Sequence, residues 1–530
     1  MRRFPIALST IVAAALVAGC SSNAAAPPTG ATTPSLGSAH IVDSGIAQPH
    51  SLRLFRTPPH PPPRRHAITG AMRRRARAGG WQQISSIPAF PNGPQTELLM
   101  TDGSVLVFDY CATNVYKLTP DQTGSYVTGS WTQLASLPSG YAPLYFASAV
   151  LPDGKLIVNG GEYNFCSGSE TTLGAIYDPV ANTWTSVAAP SGWSRIGDGQ
   201  SAVLNNGTYM IGNCCTTVQA QLNESTMTWT QVGTGKGDTN SEEGWTLMPG
   251  GNILTADVGN APDSEIFNAK SATWSAAAQV PVNLTSGFEI GPQTLRANGT
   301  VWVAGASGLS AVYNIKRGTW TQGPSFPTQG SQQLDVADGP STLLTDGTVM
   351  VAASPGLYNA PTTMFIYNGK KLKNIAAFPQ APNDSSYNVR LLLLPTGQIL
   401  EDDGSTDMEV YTPSRLGTPS YAPKIGSVPT TLTHGNTYKI TGRRFNGMSQ
   451  TNMYGDDVQQ ATNYPLVRVT NGTTGHVFYC KTHNHSFMGV GSSRKVSTMF
   501  DVPSTIETGA STLVVVTNGV ASAPVSVTIH

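Results

Sequence analysis

The amino-acid sequence predicts an all-β protein, in which a ring of small antiparallel sheets is followed by a β-sandwich. Three observations support this fold class. A tight turn ending in glycine recurs seven times between apolar runs, and further apolar runs follow each turn at similar distances. Near residue 417 this period stops, and short alternating strands continue to the C-terminus.

The turn glycines fix the repeat. They recur at intervals of 44 to 53 residues, and they are Gly103, Gly154, Gly207, Gly251, Gly299, Gly347 and Gly397. Turns such as Thr-Asp-Gly and Pro-Asp-Gly supply the positive φ that a short β-hairpin needs. Short strands repeating at about 50 residues are typical of kelch-type propellers. We therefore expect a seven-bladed kelch-type β-propeller over residues 81–416.

Two more strands complete most repeats. The third ends in an aromatic residue, and the fourth usually begins with tryptophan, at Trp131, Trp184, Trp229, Trp274 and Trp320. One repeat has Leu372 in this position, and no such strand follows Tyr411. Because Trp81 precedes the first hairpin, we expect an N-terminal strand to complete the last blade and leave no open sheet edge.

The first 20 residues have the features of a secretory signal. Arg2 and Arg3 precede an apolar stretch, which ends in small residues before Cys20. This pattern resembles a bacterial lipobox and predicts that Cys20 becomes the lipidated first residue of the mature chain. The alternative is an ordinary signal peptide with an incidental cysteine. Either way the sequence predicts export, to the bacterial cell envelope or beyond it.

Residues 21–80 are predicted to be a disordered tether. Their first half is rich in Ala, Pro, Ser and Thr, and residues 51–78 are rich in Pro and Arg, so they cannot bury a core. We interpret the arginines as solvated; contact with anionic lipid or polymer is the alternative. The whole chain is neutral, with 31 basic and 31 acidic residues. Neutrality and export together argue against nucleic acid as a partner.

Four cysteines follow the second strand of the first three repeats, which places them on one face of the disc. One pairing joins Cys111 to Cys166 and Cys214 to Cys215, and leaves Cys480 free. The sequence does not fix this connectivity. We interpret these cysteines as staples for loops rather than as a redox centre.

Residues 417–530 contain short alternating strands that predict an immunoglobulin-like (early-set) sandwich. A kelch propeller followed by such a sandwich resembles the galactose oxidase and glyoxal oxidase family of copper radical oxidases. The resemblance is strongest at the segment from Tyr387 to Gly397, and at Lys481-Thr482-His483 on a sandwich loop that in the family reaches the metal.

This family holds copper with two tyrosines and two histidines, and one tyrosine is joined to a cysteine. Tyr387 matches the axial tyrosine and His483 matches one histidine. Asn388, however, stands where the second histidine is expected, and Phe146 stands near the crosslinking cysteine. The segment 197–199 lacks the partner tyrosine. We therefore expect the family's fold without its copper radical chemistry.

Polar side chains lead into the first strand of each repeat, near the expected channel mouth. They are Glu97, Asp198, Gln200, Glu242, Glu243, Glu289, Gln293, Asp338, Tyr387 and Asn388. If they converge, their oxygens suit Ca²⁺ or the hydroxyls of a sugar. The alternative is that several of them satisfy backbone groups between blades.

His483 and His485 have the spacing of neighbours on one face of a strand, where they could hold a metal together. The alternative is a loop in which they bond backbone groups. Two functions follow from the whole sequence. The favoured one is an envelope-anchored or secreted binding module for a cell-surface glycan or protein. The other is a divergent oxidoreductase that uses a different metal centre.

Overall fold

The computed structural model describes residues 79–417, 420–455 and 460–530. The predicted lipobox at Cys20 and the tether therefore lie outside the described residues, apart from the last two tether positions. The described part has no α-helix, and its one helical turn is the 3-10 turn Ser386–Asn388. None of its helices has the length and apolar character that crossing a membrane requires. The prediction of an all-β protein is confirmed.

Residues 79–417 form antiparallel sheets of four strands, numbered here sheet 1 to sheet 7 in chain order. In sheets 1 to 6 the four strands lie across the sheet in the order in which they occur in the chain. The predicted turns have the backbone they need: φ is 75° at Gly103 and 84° at Gly347. The first strand of each set is called its inner strand.

The strands of sheet 1 are Pro94–Leu99, Val105–Asp109, Val115–Thr119 and Ser130–Gln133. Those of sheet 2 are Ala147–Val150, Leu156–Asn159, Gly174–Asp178 and Thr183–Ser186. Those of sheet 3 are Ser201–Val203, Tyr209–Gly212, Gln219–Asn223 and Thr228–Val232. The strands of sheet 4 are Thr246–Leu247, Ile253–Ala256, Ser264–Asn268 and Thr273–Ala276. Those of sheet 5 are Gln293–Arg296, Thr300–Ala304, Ser310–Asn314 and Thr319–Gln322. Those of sheet 6 are Ser341–Leu343, Val349–Pro355, Thr363–Tyr367 and Leu372–Asn374.

Sheet 7 takes its outer strand from the start of the described chain. Its strands are Arg390–Leu393, Ile399–Asp402, Glu409–Thr412 and Gly80–Gln83. Trp81 lies opposite Tyr411, with ring centroids 5.0 Å apart, and its indole nitrogen donates to the Ala376 carbonyl at 2.8 Å. The first and last repeats are thus joined by strand pairing.

Four of the recurring tryptophans link their sheet to the one before it. The indole N–H of Trp184 donates to the Ala135 carbonyl at 3.0 Å, and that of Trp229 to the Ala188 carbonyl at 2.6 Å. Trp274 and Trp320 donate in the same way to side chains of the preceding sheet. A large apolar ring with one donor therefore serves both packing and polar contact at these junctions.

Short strands extend this framework. Pro143–Leu144, Tyr163–Asn164 and Ser167–Gly168 form a small three-stranded sheet, and Thr328–Gln329 and Gln332–Asp335 extend sheet 6. The inner strand of sheet 7 contacts those of sheets 1 and 6. Sheet 5 contacts sheets 4 and 6 in the same way, as sheet 2 contacts sheet 3.

The C-terminal strands form one connected sheet system with its own core of Ile440, Val467, Phe500 and Val515. These strands are Lys424–Ser427, Thr431–Leu432, Thr437–Arg443, Leu466–Asn471, Val477–His483, Lys495–Asp501, Gly509–Thr517, Val520–Ala521 and Val525–Ile529.

This C-terminal domain packs on the hairpin turns that follow the inner strands. The Tyr479 ring lies so close to Gly103 that any side chain there would collide with it. The backbone N–H of His485 donates to the Pro152 carbonyl at 2.9 Å, and that of Met488 to the Asn205 carbonyl at 3.2 Å. The inner strands begin at the opposite ends of the sheets, and that face is called the mouth.

Candidate functional site

One segment of the C-terminal domain runs between the inner strands. Its described arms are residues 449–455 and 460–464, called the central segment. Asn452–Met453 pairs with Ser341–Leu343 of sheet 6. The Asn452 side-chain oxygen also accepts a hydrogen bond from the Leu393 amide of sheet 7 at 2.9 Å. Four sheets contribute partners, since Gln450 and Tyr464 bond the inner strands of sheets 4 and 1.

The central segment reaches the mouth. The Tyr454 hydroxyl donates to the Tyr387 carbonyl at 2.6 Å. The Gln460 amide donates to the carbonyl and the carboxylate of Glu97, at 2.6 and 2.9 Å. The resemblance assigned this role to Lys481–His483, and the structure assigns it to a segment about 20 residues earlier. Its sequence signal is a run of Ser, Gln, Thr and Asn that breaks the alternation of strands.

Three of the predicted carboxylates converge at the mouth. Glu242, Glu289 and Asp338 stand just before the inner strands of sheets 4, 5 and 6, and one oxygen of each lies within 4.8 Å of the other two. Their exposed fractions are 1%, 4% and 2%. They are called the carboxylate triad.

The backbone is held in an unusual conformation at two triad residues. Glu242 has φ 60° and Asp338 has φ 46°, a region that residues with a side chain seldom adopt. Such conformations cost about 1 kcal/mol or more and persist where the surroundings impose them, often at functional sites. Holding these two side chains in their observed directions therefore lowers the stability of the fold.

Gln293 lies beside the triad. It is fully buried, and among the described residues neither its amide nitrogen nor its amide oxygen has a hydrogen-bond partner. A Cβ at Gly244 would lie 3.4 Å from its amide nitrogen and 2.6 Å from the Gly455 carbonyl. Gly455 in turn packs directly on the Asp338 carboxylate. The Gln293 amide and the Asp338 carboxylate thus both lie close to the contact between Gly244 and Gly455.

Glu243, the next residue after Glu242, does not join the triad. It forms a buried ion pair with Lys236 at 2.9 Å, and Lys236 also pairs with Glu265 at 2.5 Å. Burial alone would lower the pKa of Lys236, but these two carboxylates raise it, so the ammonium remains charged. Glu243 therefore has a structural role inside sheet 4.

Gln200 and Asp198 occupy the mouth end of sheet 3. The Gln200 amide donates to the Asn240 carbonyl in the connection to sheet 4. Gln200 therefore satisfies a backbone group between two sheets, which is the alternative to binding at the mouth. Asp198 is buried and follows Gly197, on which Cys214 and Glu170 pack. The structure thus brings together three of the predicted mouth residues and distributes the others around them.

Tyr387 belongs to an aromatic group around a buried arginine. The Arg390 guanidinium lies 4.0 Å from the Tyr454 ring centre and 5.5 Å from that of Tyr145. It donates to the Tyr387 carbonyl at 2.8 Å. Burial, together with Tyr387, raises the pKa of Tyr110 to about 12. The phenol of Tyr110 is therefore protonated at neutral pH.

Asn388 does not reach the carboxylate triad. Its backbone N–H closes the 3-10 turn on the Ser385 carbonyl at 3.1 Å, and its side chain is near enough to the Asp384 carboxyl to lower the pKa of that group against the larger effect of burial. The resemblance aligned Asn388 with a copper-binding histidine. In this structure it supports a neighbouring carboxyl group instead.

The two histidines of the C-terminal domain have separate partners. The strand ends at His483, and Asn484 has φ 52°, so the alternation that would align both rings is broken. His483 Nε2 lies 3.1 Å from Asp501 Oδ1, and His485 Nδ1 lies 2.9 Å from Thr498 Oγ1. Burial, with the neighbouring His483, lowers the pKa of His485 to about 3. The structure therefore does not bring them to one metal.

The cysteines pair as one of the predicted arrangements. Cys111 is bonded to Cys166, with Cα atoms 5.2 Å apart, and Cys214 is bonded to Cys215. Cys480 is free and buried. The first bond ties the mouth loops of sheets 1 and 2 together.

The donors at the mouth fit a hard cation better than copper. Every histidine of the described residues lies in the C-terminal domain, at positions 434, 476, 483, 485 and 530. The mouth offers carboxylates, amides and phenols. A centre with two imidazoles and a cysteine-linked tyrosine does not fit these residues, whereas oxygen ligands suit Ca²⁺.

Comparison with known proteins identifies a kelch-like relative. No protein-family model matches the chain. The Kelch-like protein terF of Aspergillus terreus (strain NIH 2624 / FGSC A1156) is 26% identical over 148 residues, which are 25% of this chain and 30% of that protein. The chain thus matches less than a third of that relative's length.

Solved structures with similar coordinates include three proteins. Virginiamycin B lyase from Staphylococcus aureus has a TM-score of 0.46 and 10% identity, covering 62% of this chain and 98% of that one. The extracellular domain of the putative one component system BT4673 from B. thetaiotaomicron has a TM-score of 0.44 and 12% identity, and the match covers 86% of this chain and 58% of that one. The WD40 β-propeller domain of Doa1 has a TM-score of 0.41 and 11% identity, and the match covers 63% of this chain and 96% of that one.

The repeated four-stranded sheets and the kelch-like relative together support a class, that of kelch or propeller proteins. Within that class, the residues at the mouth distinguish this chain by a buried carboxylate triad and a central segment from its C-terminal domain.

Proposed function

We propose that this chain is a cation-dependent binding protein rather than an oxidase. In this proposal residues 81–416 form a seven-bladed kelch-type propeller, residues 417–530 form an immunoglobulin-like (early-set) domain, and a glycan or protein ligand binds at the mouth. The carboxylate triad is the observation that carries the proposal. Ca²⁺ is the cation that its chemistry favours.

Geometry and charge both favour Ca²⁺. Its ligands lie at about 2.3–2.6 Å, so oxygens on opposite sides of the ion are about 5 Å apart. The triad oxygens lie within 4.8 Å of one another. Carboxylate oxygens gathered this closely are suitable ligands for a divalent ion, which prefers charged oxygen ligands. The buried side chain of Gln293 carries a neutral amide oxygen of the kind that Ca²⁺ also accepts.

The mouth also offers apolar surface for a ligand. Phe288 immediately precedes Glu289 and is 44% exposed, with φ 66°. A bulky residue held at positive φ and facing solvent is costly unless it contacts something. A ligand with oxygens for the cation and an apolar face for Phe288 meets both features.

Export belongs to the proposal as well. We propose that residues 1–20 are removed and that Cys20 carries the lipid that anchors the protein to a membrane. Two disulfides in one chain are consistent with an oxidising compartment. Replacing Cys20 by serine should abolish incorporation of labelled fatty acid and release the protein into the medium.

Calcium titration by isothermal calorimetry tests the site. The wild-type chain should bind one Ca²⁺ with a Kd between about 10⁻⁶ and 10⁻³ M. Glu289→Gln and Asp338→Asn should each weaken binding at least tenfold, because each removes a charged ligand. Asp263→Asn changes an exposed carboxylate elsewhere and should bind as the wild type does. Equal binding by all four proteins would refute the triad as the site.

Ligand binding and the alternative function need a second experiment. Migration through gels that contain soluble polysaccharides should be retarded with Ca²⁺ and restored by a chelator if the ligand is a glycan. The same preparation should be assayed for copper content and for peroxide production from primary alcohols and aldehydes. Stoichiometric copper with turnover would replace the binding proposal by the oxidoreductase alternative.

A further inference from the structure

A second group of side chains whose atoms could hold a metal ion lies at the mouth end of sheet 3. Cys214 and Cys215 follow the strand Tyr209–Gly212, and one atom each of Cys214, Cys215 and Glu170 lies within 4.8 Å of the other two. Cys214 is buried and Cys215 is partly exposed. The chemistry differs from that of the carboxylate triad, because two of the three ligand atoms are sulfur.

The group is tightly built. Cys214 Sγ lies 3.5 Å from Glu170 Oε2. Both pack on Gly197, where a side chain would collide with the Glu170 carboxylate and lie 2.7 Å from Cys214 Sγ. Glu170 has φ 44°, and its backbone N–H donates to the Glu162 carbonyl at 3.1 Å. The carboxylate is thus held against the sulfur atoms by the backbone around it.

The cysteine backbone is held by bonds that do not depend on the disulfide. The Cys214 N–H donates to the Ile196 carbonyl at 3.1 Å, and its carbonyl accepts from the Ser241 hydroxyl at 2.7 Å. The Cys215 N–H donates to Asn213 Oδ1 at 3.3 Å. When the disulfide is reduced, these contacts and the adjacency of the two residues keep both thiols beside Glu170.

We propose that Cys214, Cys215 and Glu170 form a redox-controlled site for a thiophilic divalent cation such as Zn²⁺. In the oxidised chain the sulfurs are bonded to each other and supply no thiolate. An external dithiol or phosphine donates two electrons and is itself oxidised, the S–S bond breaks, and each sulfur gains a proton. Zn²⁺ then displaces both protons and forms two Zn–S bonds.

The proposed site would be open rather than closed. Glu170 supplies a third ligand, and a tetrahedral Zn²⁺ with three protein ligands keeps its fourth position for water or another molecule. The disulfide Cys111–Cys166 lacks this arrangement, since its sulfurs come from loops of two different sheets. This inference uses other residues than the carboxylate triad and goes beyond the proposed function.

Zinc competition against a chromophoric chelator tests the proposal. The Cys111→Ser/Cys166→Ser chain serves as the background, so that only one disulfide is reduced, with a phosphine that contributes no thiol. After reduction this chain should bind one Zn²⁺ more than before it. Adding Cys214→Ser and Cys215→Ser should abolish that gain, and adding Glu170→Gln should weaken it at least tenfold.

The wild-type chain provides an independent measurement if the serine background fails to fold. Reduced wild type should react with a trivalent arsenical that bridges adjacent thiols, and mass spectrometry should locate the adduct on the peptide with Cys214 and Cys215. No additional zinc after reduction, or an adduct only elsewhere, would overturn the proposal. Calcium titration of the same proteins reports separately on the triad, so either proposal can fail alone.

Discussion

Buried carboxyl groups face one another in sheet 7. Glu401 lies directly opposite Glu409 on the neighbouring strand, and Asp403 is a charged neighbour of Asp384. Burial raises the pKa of Glu409 to about 9, with Asp407 and Asp403 adding to the effect and Glu401 opposing it. Burial and the charge of Asp403 raise the pKa of Asp384 to about 8. Such pairs hold protons at neutral pH, because two adjacent carboxylates cannot both ionise cheaply.

Stability should therefore fall as pH rises from about 5 to about 9. In this range the folded chain binds more protons at these groups than the unfolded chain, whose carboxyl pKa values lie near 4. The free energy of unfolding should decline by about 1.4 kcal/mol per pH unit for each proton retained only in the folded state. Urea denaturation at a series of pH values measures the slope.

Glu409→Gln removes one of these protons from the balance and should flatten the slope. Asp121→Asn is the matched control, because hydrogen bonds in an exposed turn lower the pKa of Asp121 despite partial burial, which moves its titration out of the range. A wild-type stability that is constant or rising between pH 5 and 9 would contradict the proton-sharing interpretation.

Position within the repeat places the triad residues among the polar candidates for the mouth, but it does not separate them from the other candidates. Glu242, Glu289 and Asp338 each precede a first strand, and they converge. Glu243 also precedes a first strand, but it binds Lys236, a residue that the repeat pattern does not single out. Adjacent residues point in different directions, so one position decides between mouth and interior.

At the scale of elements, the central segment was the part that the sequence did not predict. Its polar run has no period of its own, and its partners are distant in the chain: Asn452 bonds Leu393, 59 residues away, and Gln460 bonds Glu97, 363 residues away. Sequence patterns report local structure, whereas these bonds exist only once the sheets have assembled. The hairpins were predictable because their turns are local.

Asn452 should be the most sensitive residue of the central segment. Its side chain accepts from Thr342 Oγ1 at 2.5 Å and donates to the Gln460 carbonyl at 2.6 Å, besides the bond to Leu393. Asn452→Ala leaves buried polar groups without partners and should lower the free energy of unfolding by about 2–4 kcal/mol. Asn383→Ala, at an exposed turn, should cost less than about 0.5 kcal/mol.

Chemical denaturation measures both variants. Equal, small losses would mean that water replaces the Asn452 contacts and that the central segment is not a firm part of the fold. A large loss for Asn452→Ala alone would show that the segment holds the inner strands together from within.

At the scale of the whole molecule, the sheets are completed by a strand from the other end of the repeat region. The missing tryptophan strand after Tyr411 and the early Trp81 indicated this from the sequence, and Gly80–Gln83 pairs with Glu409–Thr412. No sequence pattern predicts that the C-terminal domain packs on the hairpin turns. This packing depends on shape, as in the contact of the Tyr479 ring with Gly103.

Removal of the N-terminal strand should destabilise the molecule and expose a sheet edge. A chain of residues 85–530 leaves Glu409–Thr412 unpaired, while a chain of residues 79–530 keeps the pairing and is the matched control. The shorter chain loses the ring packing of Trp81 on Tyr411 and Phe378 as well as the strand hydrogen bonds. Loss of a packed tryptophan alone costs about 3 kcal/mol.

An unpaired edge also invites pairing with another chain. Light scattering should show self-association of the 85–530 chain, and a peptide of residues 79–90 should restore a monomer by adding the missing strand. If instead both chains are monomeric and unfold at the same denaturant concentration, strand exchange between the ends of the repeat region contributes little to closure. The contacts between the inner strands of sheets 1 and 7 would then have to join the first and last repeats by themselves.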